Sequence, residues 1–89
     1  MKLSANAKAI YEDMDIQYSR CITRLNEKEY FKAKLDAYTI TGYVGAIKNA
    51  FNSDCITKDE LIHLSEVLKC YLLTISNLLP KSGVMSDDE

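Results

Sequence analysis

An apolar repeat with a period of seven residues runs through the middle of the chain and constrains its fold more than any other feature. The a and d positions of this repeat are occupied, in order, by Tyr30, Ala33, Ala37, Ile40, Val44, Ile47 and Phe51. Residues at this spacing share one face of an α-helix, where they form a seam that packs against a partner helix. The repeat therefore predicts one long helix from about Asn26 to Phe51.

Two further segments, one on each side of the repeat, also have helical periodicity. The first extends from Ala5 to about Leu25, and its apolar stripe consists of Ile10, Met14, Tyr18, Cys21 and Leu25. The other extends from Lys58 to about Leu79, and its stripe consists of Leu61, Leu64, Leu68, Tyr71, Ile75 and Leu78. Because short connections place consecutive helices antiparallel, we predict an all-α fold, an up-down-up three-helix bundle of long antiparallel helices.

Local signals predict the helix boundaries. Asn26 and Glu29 have the spacing of a capping box, which would begin the second helix directly after the first. Thr57 and Glu60 have the same spacing ahead of the third helix. Pro80 lacks a backbone N–H and therefore ends that helix.

The stretch from Thr39 to Gly45 is the weakest part of the second helix. It combines β-branched residues with two glycines, Gly42 and Gly45, and a glycine costs about 1 kcal/mol in a helix interior. Because the apolar repeat continues through this stretch, we expect the helix to persist with a kink near Gly42–Gly45.

Length and composition are those of one small domain. The chain has 89 residues and a net charge of −2, and its apolar runs are far shorter than the roughly 20 residues that cross a membrane. Three widely spaced cysteines are typical of reduced thiols in a cytoplasmic protein. We expect residues 1–80 to form a single helical domain, residues 81–89 to form a disordered acidic tail, and the protein to be cytoplasmic without membrane contact.

The residues that could carry chemistry form no catalytic or metal-binding pattern. His63 is the only histidine, and acidic residues three positions away on either side, Glu60 and Glu66, are common on helix surfaces. The cysteines lack the closely spaced pairs of structural zinc sites. We predict that the protein is not an enzyme and binds neither a metal nor another cofactor.

The second and third helices carry more apolar surface than a monomeric bundle buries, which favours a protein partner or a second copy of the chain. Candidate partner-binding residues are Tyr30, Phe31, Tyr38, Tyr43, Phe51, Leu72 and Leu79. We interpret the chain as a small regulator, inhibitor or adaptor that docks an apolar helix face on a protein, with a homodimer as the default assembly. Such a chain would also suit an accessory protein of a phage or mobile element.

Two alternatives remain open. A basic cluster around the first turn could bind nucleic acid, and it consists of Arg20, Arg24, Lys28, Lys32 and Lys34. The acidic balance of the whole chain weighs against this alternative, because phosphate contacts supply most of the affinity of nucleic-acid-binding proteins. Size and helicity alone suggest the second alternative, a helical bundle of the bacteriocin-immunity type.

Overall fold

The computed structural model describes residues 2–80, which form four helical segments. These segments are α1 (Ala5–Asn26), α2 (Tyr30–Thr41), α3 (Tyr43–Asn52) and α4 (Lys58–Leu78). Because only Gly42 separates α2 from α3, the two together are the predicted second helix. The all-α three-helix bundle is confirmed, and no strand occurs between residues 2 and 80. The predicted acidic tail, residues 81–89, lies outside the described residues.

α1 and α4 run in the same direction, as the first and third helices of an up-down-up bundle do. Near the start of both helices, Ser4 N–H donates a hydrogen bond to Glu60, and about three turns further along, the Tyr71 hydroxyl donates to Asp15. Both pairs are 56 residues apart in sequence, so the two helices keep the same offset along their length. The second helix joins the end of α1 to the start of α4 and therefore runs the opposite way.

The core is a narrow column of buried side chains along the bundle axis. Its apolar members are Ala7, Met14, Cys21, Leu25, Ala33, Ile40, Ile47, Ile56, Leu64, Leu68 and Ile75. The three d positions of the predicted repeat, Ala33, Ile40 and Ile47, all belong to this column. The a positions are half-buried or exposed, so the second helix contacts the core along a narrower stripe than the repeat predicts.

The Glu60 carboxylate joins the start of α4 to the start of α1. Glu60 Oε1 accepts from Thr57 N–H at 2.9 Å, and the Thr57 hydroxyl accepts from Glu60 N–H at 3.1 Å, which confirms this capping box. Glu60 Oε2 accepts from Ser4 N–H at 2.7 Å. Ser4 in turn caps α1, because its hydroxyl accepts from Ala7 N–H. One carboxylate therefore fixes two helix N-termini relative to each other.

The predicted capping box at Asn26 is wrong, because α1 continues through this residue and leaves no N-cap geometry there. Instead, the helix ends in a Schellman motif, in which Glu29 N–H donates to the Arg24 carbonyl at 2.8 Å and Lys28 N–H donates to the Leu25 carbonyl at 3.1 Å. Lys28 has a φ of 62°, a conformation that usually selects glycine. The missing glycine is the reason that the sequence does not reveal this helix end.

The predicted kink is present and lies at Gly42. Gly42 N–H donates to the Thr39 carbonyl at 3.0 Å, a bond to the third preceding residue that tightens the turn relative to an α-helix. A Cβ atom on Gly42 would lie 3.1 Å from the Thr39 carbonyl oxygen, which is tighter than ordinary van der Waals contact. Glycine therefore permits the close approach at the bend.

The bend changes which helix the second helix packs against and which of its side chains face inward. α2 packs mainly against α1, whereas α3 packs mainly against α4. Val44, an a position of the predicted seam, is 56% exposed, and the preceding Tyr43 packs against the core in its place. Beyond the bend, Ile47 is buried and Phe51 still packs against the core, so Val44 is the one position of the repeat that departs from the predicted seam.

The two glycines of the second helix differ in the space around them, and this difference predicts different effects of substitution by alanine. Nothing lies within 4 Å of a Cβ built on Gly45, so Gly45→Ala should raise the free energy of unfolding by about 0.5–1 kcal/mol. Gly42→Ala should gain less or lose stability, because the new methyl group meets the Thr39 carbonyl. Urea denaturation measures both values, and an equal gain at the two positions would contradict the described bend.

The tie made by Glu60 predicts acid sensitivity. Hydrogen bonds from the N–H groups of Ser4 and Thr57 hold the pKa of Glu60 below its ordinary value of 4.5. The ionised carboxylate therefore stabilises the fold above that value, and the contribution is lost as the pH falls through the lowered pKa. We expect Glu60→Gln to lower the melting temperature at neutral pH and to flatten its decline in acid. Unchanged pH dependence in circular dichroism melts would argue against this role.

Candidate docking surface between α3 and α4

An apolar groove of about 640 Å³ lies between α3 and α4. The lining residues are Val44, Ile47, Lys48, Phe51, Asn52, Leu61, Ser65, Leu68, Lys69, Leu72 and Leu73. Ile47 and Leu68 are buried and form the floor, whereas Val44 and Leu73 are each more than half exposed and form the walls. The groove is therefore an extension of the core to the surface, with wall side chains that no other part of the described chain covers.

The packing of the helices explains why this side of the bundle is open. α1 packs mainly against α2 and only slightly against α3. Beyond the bend at Gly42, the second helix leans toward α4, so α3 and α4 form a pair with no third helix on its outer side. In a bundle, a pair of helices without a third helix leaves an apolar furrow between the two rows of side chains.

The charges at the groove are all positive. Lys48 on α3 and Lys69 on α4 are exposed at its rim, and none of the described residues that line it is acidic. Neither lysine pairs with a carboxylate within residues 2–80. The groove of this net-acidic chain therefore presents two cations beside an apolar floor.

The structure distributes the predicted partner-binding residues over three environments. Phe51 and Leu72 line the groove. Phe31 and Tyr38 are 61% and 80% exposed and lie on the side of α2 that faces away from the core. The other three predicted residues are partly buried and pack against the core, and they are Tyr30, Tyr43 and Leu79. The predicted set is therefore not one surface.

Two wall residues of the groove were missed by the sequence prediction. Val44 occupies an a position of the repeat and is therefore predicted to be buried in the seam, but it is 56% exposed in the structure. Leu73 lies on α4 beside Leu72, outside the main apolar stripe of that helix. Val44 and Phe51 are seven residues apart and share one helix face, so the periodicity of the sequence contains no signal that separates Val44 from the core residues.

The basic cluster is partly used by the fold itself. Arg24 Nη1 donates to both oxygens of the buried Asp36 carboxylate at 3.0 Å, an ion pair that connects α1 to α2. Arg20, Lys28 and Lys32 are exposed, and Lys34 is half-buried. Because Arg24 already has an anionic partner, the geometry adds no support to nucleic-acid binding, which stays a prediction.

A second, shallower cleft of about 370 Å³ lies between α1 and α4 and includes the only histidine, His63. The Tyr71 ring in this cleft stacks on Tyr18, with ring centroids 4.0 Å apart. Burial, followed by hydrogen bonds with Tyr11 and Asp15, raises the pKa of Tyr71, which stays protonated at neutral pH. Tyr71 therefore serves as a packing and hydrogen-bonding group between the helices.

The cysteines are free thiols in different surroundings. Cys21 is buried, and its thiol donates to the Ala33 carbonyl at a distance of 3.4 Å. Burial, reinforced by the Asp36 carboxylate, raises the pKa of Cys21 to about 11, so this thiol is not a nucleophile at neutral pH. Cys55 and Cys70 are exposed. Residues 2–80 contain no group of three or more histidine, cysteine or acidic side chains arranged to hold a metal ion.

The comparisons with known proteins give no relative from which a role could be transferred. No protein-family model matches the chain, and neither the curated proteins nor the solved structures contain a significant match. In addition, none of the four described helices combines the length and apolarity that a bilayer crossing requires.

The different burial of the wall and the floor predicts separable effects on dye binding and stability. Leu73 is 55% exposed, so Leu73→Glu should weaken binding of anilinonaphthalene sulfonate, an anionic dye whose aromatic rings bind apolar surface, while changing the free energy of unfolding by only about 0.5 kcal/mol. Leu68 is 3% exposed, and Leu68→Ala should cost about 2–5 kcal/mol.

The matched control is Leu35→Glu, since Leu35 is 52% exposed on α2 and does not line the groove. Dye fluorescence should respond to Leu73→Glu and not to Leu35→Glu. If dye fluorescence responded to Leu35→Glu and not to Leu73→Glu, the dye would bind mainly to the outer side of α2, and the groove would not be the principal apolar surface.

Proposed function

We propose that this chain is a small non-enzymatic interaction module that binds another protein through the groove between α3 and α4. The observation that carries the proposal is the groove itself, an open apolar furrow continuous with the core. Its half-exposed walls and buried floor form a place in which a side chain of another protein could be buried. Regulator, inhibitor and adaptor are the roles that suit a chain of this size acting through one surface.

The groove is a better docking surface than the outer side of α2, where Phe31, Leu35 and Tyr38 are exposed. That side is a single convex helix face, whereas the groove offers two walls and a floor. The strongest contacts in protein interfaces are side chains inserted into pockets from which water is excluded. A partner side chain between Phe51 and Leu72 would be enclosed in this way.

The groups with altered pKa values support a non-enzymatic role. Shifted pKa values often mark active sites. Of the four such groups in residues 2–80, Glu60 joins two helix N-termini and Cys21 is buried in the core. Tyr71 packs between helices, and Tyr43 packs against the core. Each shift therefore has a structural cause. We propose that the protein is cytoplasmic, because its three cysteines are free thiols and cysteines are usually kept reduced in the cytoplasm.

Photo-cross-linking tests the proposal directly. With a benzophenone amino acid in place of Val44, irradiation in the cell that naturally produces the protein should yield an adduct with one partner protein. The control replaces Asn49, which is exposed on the same helix and does not line the groove.

We expect an adduct from position 44 and none from position 49, because only the first lies in the proposed interface. Equal adducts from both positions, or none from either, would refute the groove as the docking surface. An adduct with twice the mass of this chain alone would show that the partner is a second copy.

A further inference from the structure

We infer that the groove receives one amphipathic α-helix of the partner protein, with acidic residues flanking its apolar stripe. This inference rests on the proposed function, since it names the kind of segment that the docking surface accepts. Three properties of the groove lead to it: its apolar lining, its length, and the two lysines at its rim.

The apolar lining selects a helical segment over an extended one. An extended peptide brings unpaired backbone N–H and C=O groups, and burying such a group without a hydrogen-bond partner is unfavourable. Apart from the two lysines, Asn52 and Ser65 are the only polar side chains that line the groove. A helix satisfies its own backbone groups and presents only side chains to the floor at Ile47 and Leu68.

The dimensions agree with two to three turns of helix. α3 contributes residues 44–52 to the groove and α4 contributes residues 61–73. At 1.5 Å per residue, these walls extend over roughly 12 and 18 Å. Apolar residues at positions i, i+3 or i+4, and i+7 of an incoming helix span about 10 Å and fit within both walls.

The rim charges select the flanks of the incoming helix. Lys48 and Lys69 come from opposite walls, so a helix lying between them would bring one flank near each lysine. Acidic residues on those flanks would pair with both lysines, whereas basic residues would be repelled. The surplus of positive charge is local, because the chain as a whole carries a net charge of −2.

The same charges disfavour a second copy of the chain packed groove against groove. An isologous contact across this surface would bring Lys48 and Lys69 of one chain toward the same lysines of the other, with no acidic residue among the lining side chains to compensate. The charges of the groove therefore favour a partner with acidic residues over the predicted homodimer.

Two designed helical peptides of about 16 residues test the inference in anisotropy titrations with the full chain. Both carry the same apolar stripe of leucines, and they differ only in having glutamates or lysines on the flanks. We expect the glutamate peptide to bind about tenfold more tightly, because two attractive rim pairs replace two repulsive ones. The double variant Lys48→Glu/Lys69→Glu should reverse the preference, and a glutamate peptide with a central proline should lose binding.

Equal affinity for the two peptides, with both lost in Val44→Glu, would overturn the acidic flank and leave the groove as a docking surface. Failure of both peptides to bind, while position 44 still cross-links a partner, would overturn the helical occupant alone. If neither a peptide nor a partner is bound at position 44, the proposed function fails as well.

Two further outcomes would assign the groove to this chain itself. The variant Asp87→Asn/Asp88→Asn/Glu89→Gln removes three acidic charges from the C-terminal tail. If it bound the glutamate peptide about tenfold more tightly than the wild type does, the tail itself would be the occupant, because a tethered tail competes with the peptide. A dimer in solution that the peptide dissociates would identify a second copy as the occupant. We expect unchanged affinity in the tail variant and a monomeric chain at micromolar concentration.

Discussion

The tight turn at Gly42 determines which surface of this bundle meets the core and which remains open. Before the turn, the second helix packs mainly against α1, and beyond it mainly against α4. The d positions of its repeat, Ala33, Ile40 and Ile47, are buried on both sides of the turn. A Cβ atom at position 42 would lie 3.1 Å from the Thr39 carbonyl oxygen, so glycine suits the close approach at the turn. Beyond the turn, Val44 is 56% exposed and lines the furrow between α3 and α4.

Two charged contacts hold the ends of the bundle in place around this bend. At one end, Glu60 receives hydrogen bonds from the starts of both α1 and α4. At the other, Arg24 pairs with the buried Asp36 and fixes α1 to α2. Every buried side-chain polar atom in residues 2–80 has a hydrogen-bond partner, so neither tie leaves an unsatisfied group behind. The helix ends are thus fixed by specific polar contacts, while the groove is lined by apolar side chains and by two lysines that pair with no carboxylate within residues 2–80.

The fold could be predicted from the sequence because its signals are local and periodic. The apolar stripes gave the helix count, the Thr57–Glu60 spacing gave the start of α4, and the glycines gave the position of the bend. The end of α1 could not be predicted, since Lys28 takes a left-handed conformation for which no glycine gives warning. Spacing alone suggested a cap at Asn26, and the Schellman hydrogen bonds of the α1 end prevail over it.

The candidate site was less predictable than the fold. The surplus of apolar residues predicts that some apolar surface stays exposed. The location of that surface depends on the angle of the bend at Gly42 and on how α3 packs against α4, and the sequence specifies neither. Of the predicted partner-binding residues, Phe51 and Leu72 line the groove and Tyr43 packs against the core, whereas Val44, predicted for the buried seam, is exposed. Periodicity could not predict this outcome, because Val44 shares a helix face with Phe51, which packs against the core.

The central claim is tested most directly by methyl NMR of the chain in the presence of a saturating amount of the partner that cross-linking identifies. This measurement reports the position of the interface on the folded protein. If the groove is the docking surface, the methyl resonances of Val44, Leu72 and Leu73 will shift and show contacts to the partner, while those of Leu35 will not change. Contacts to Leu35 on the outer side of α2, with the groove methyl groups unchanged, would contradict the account.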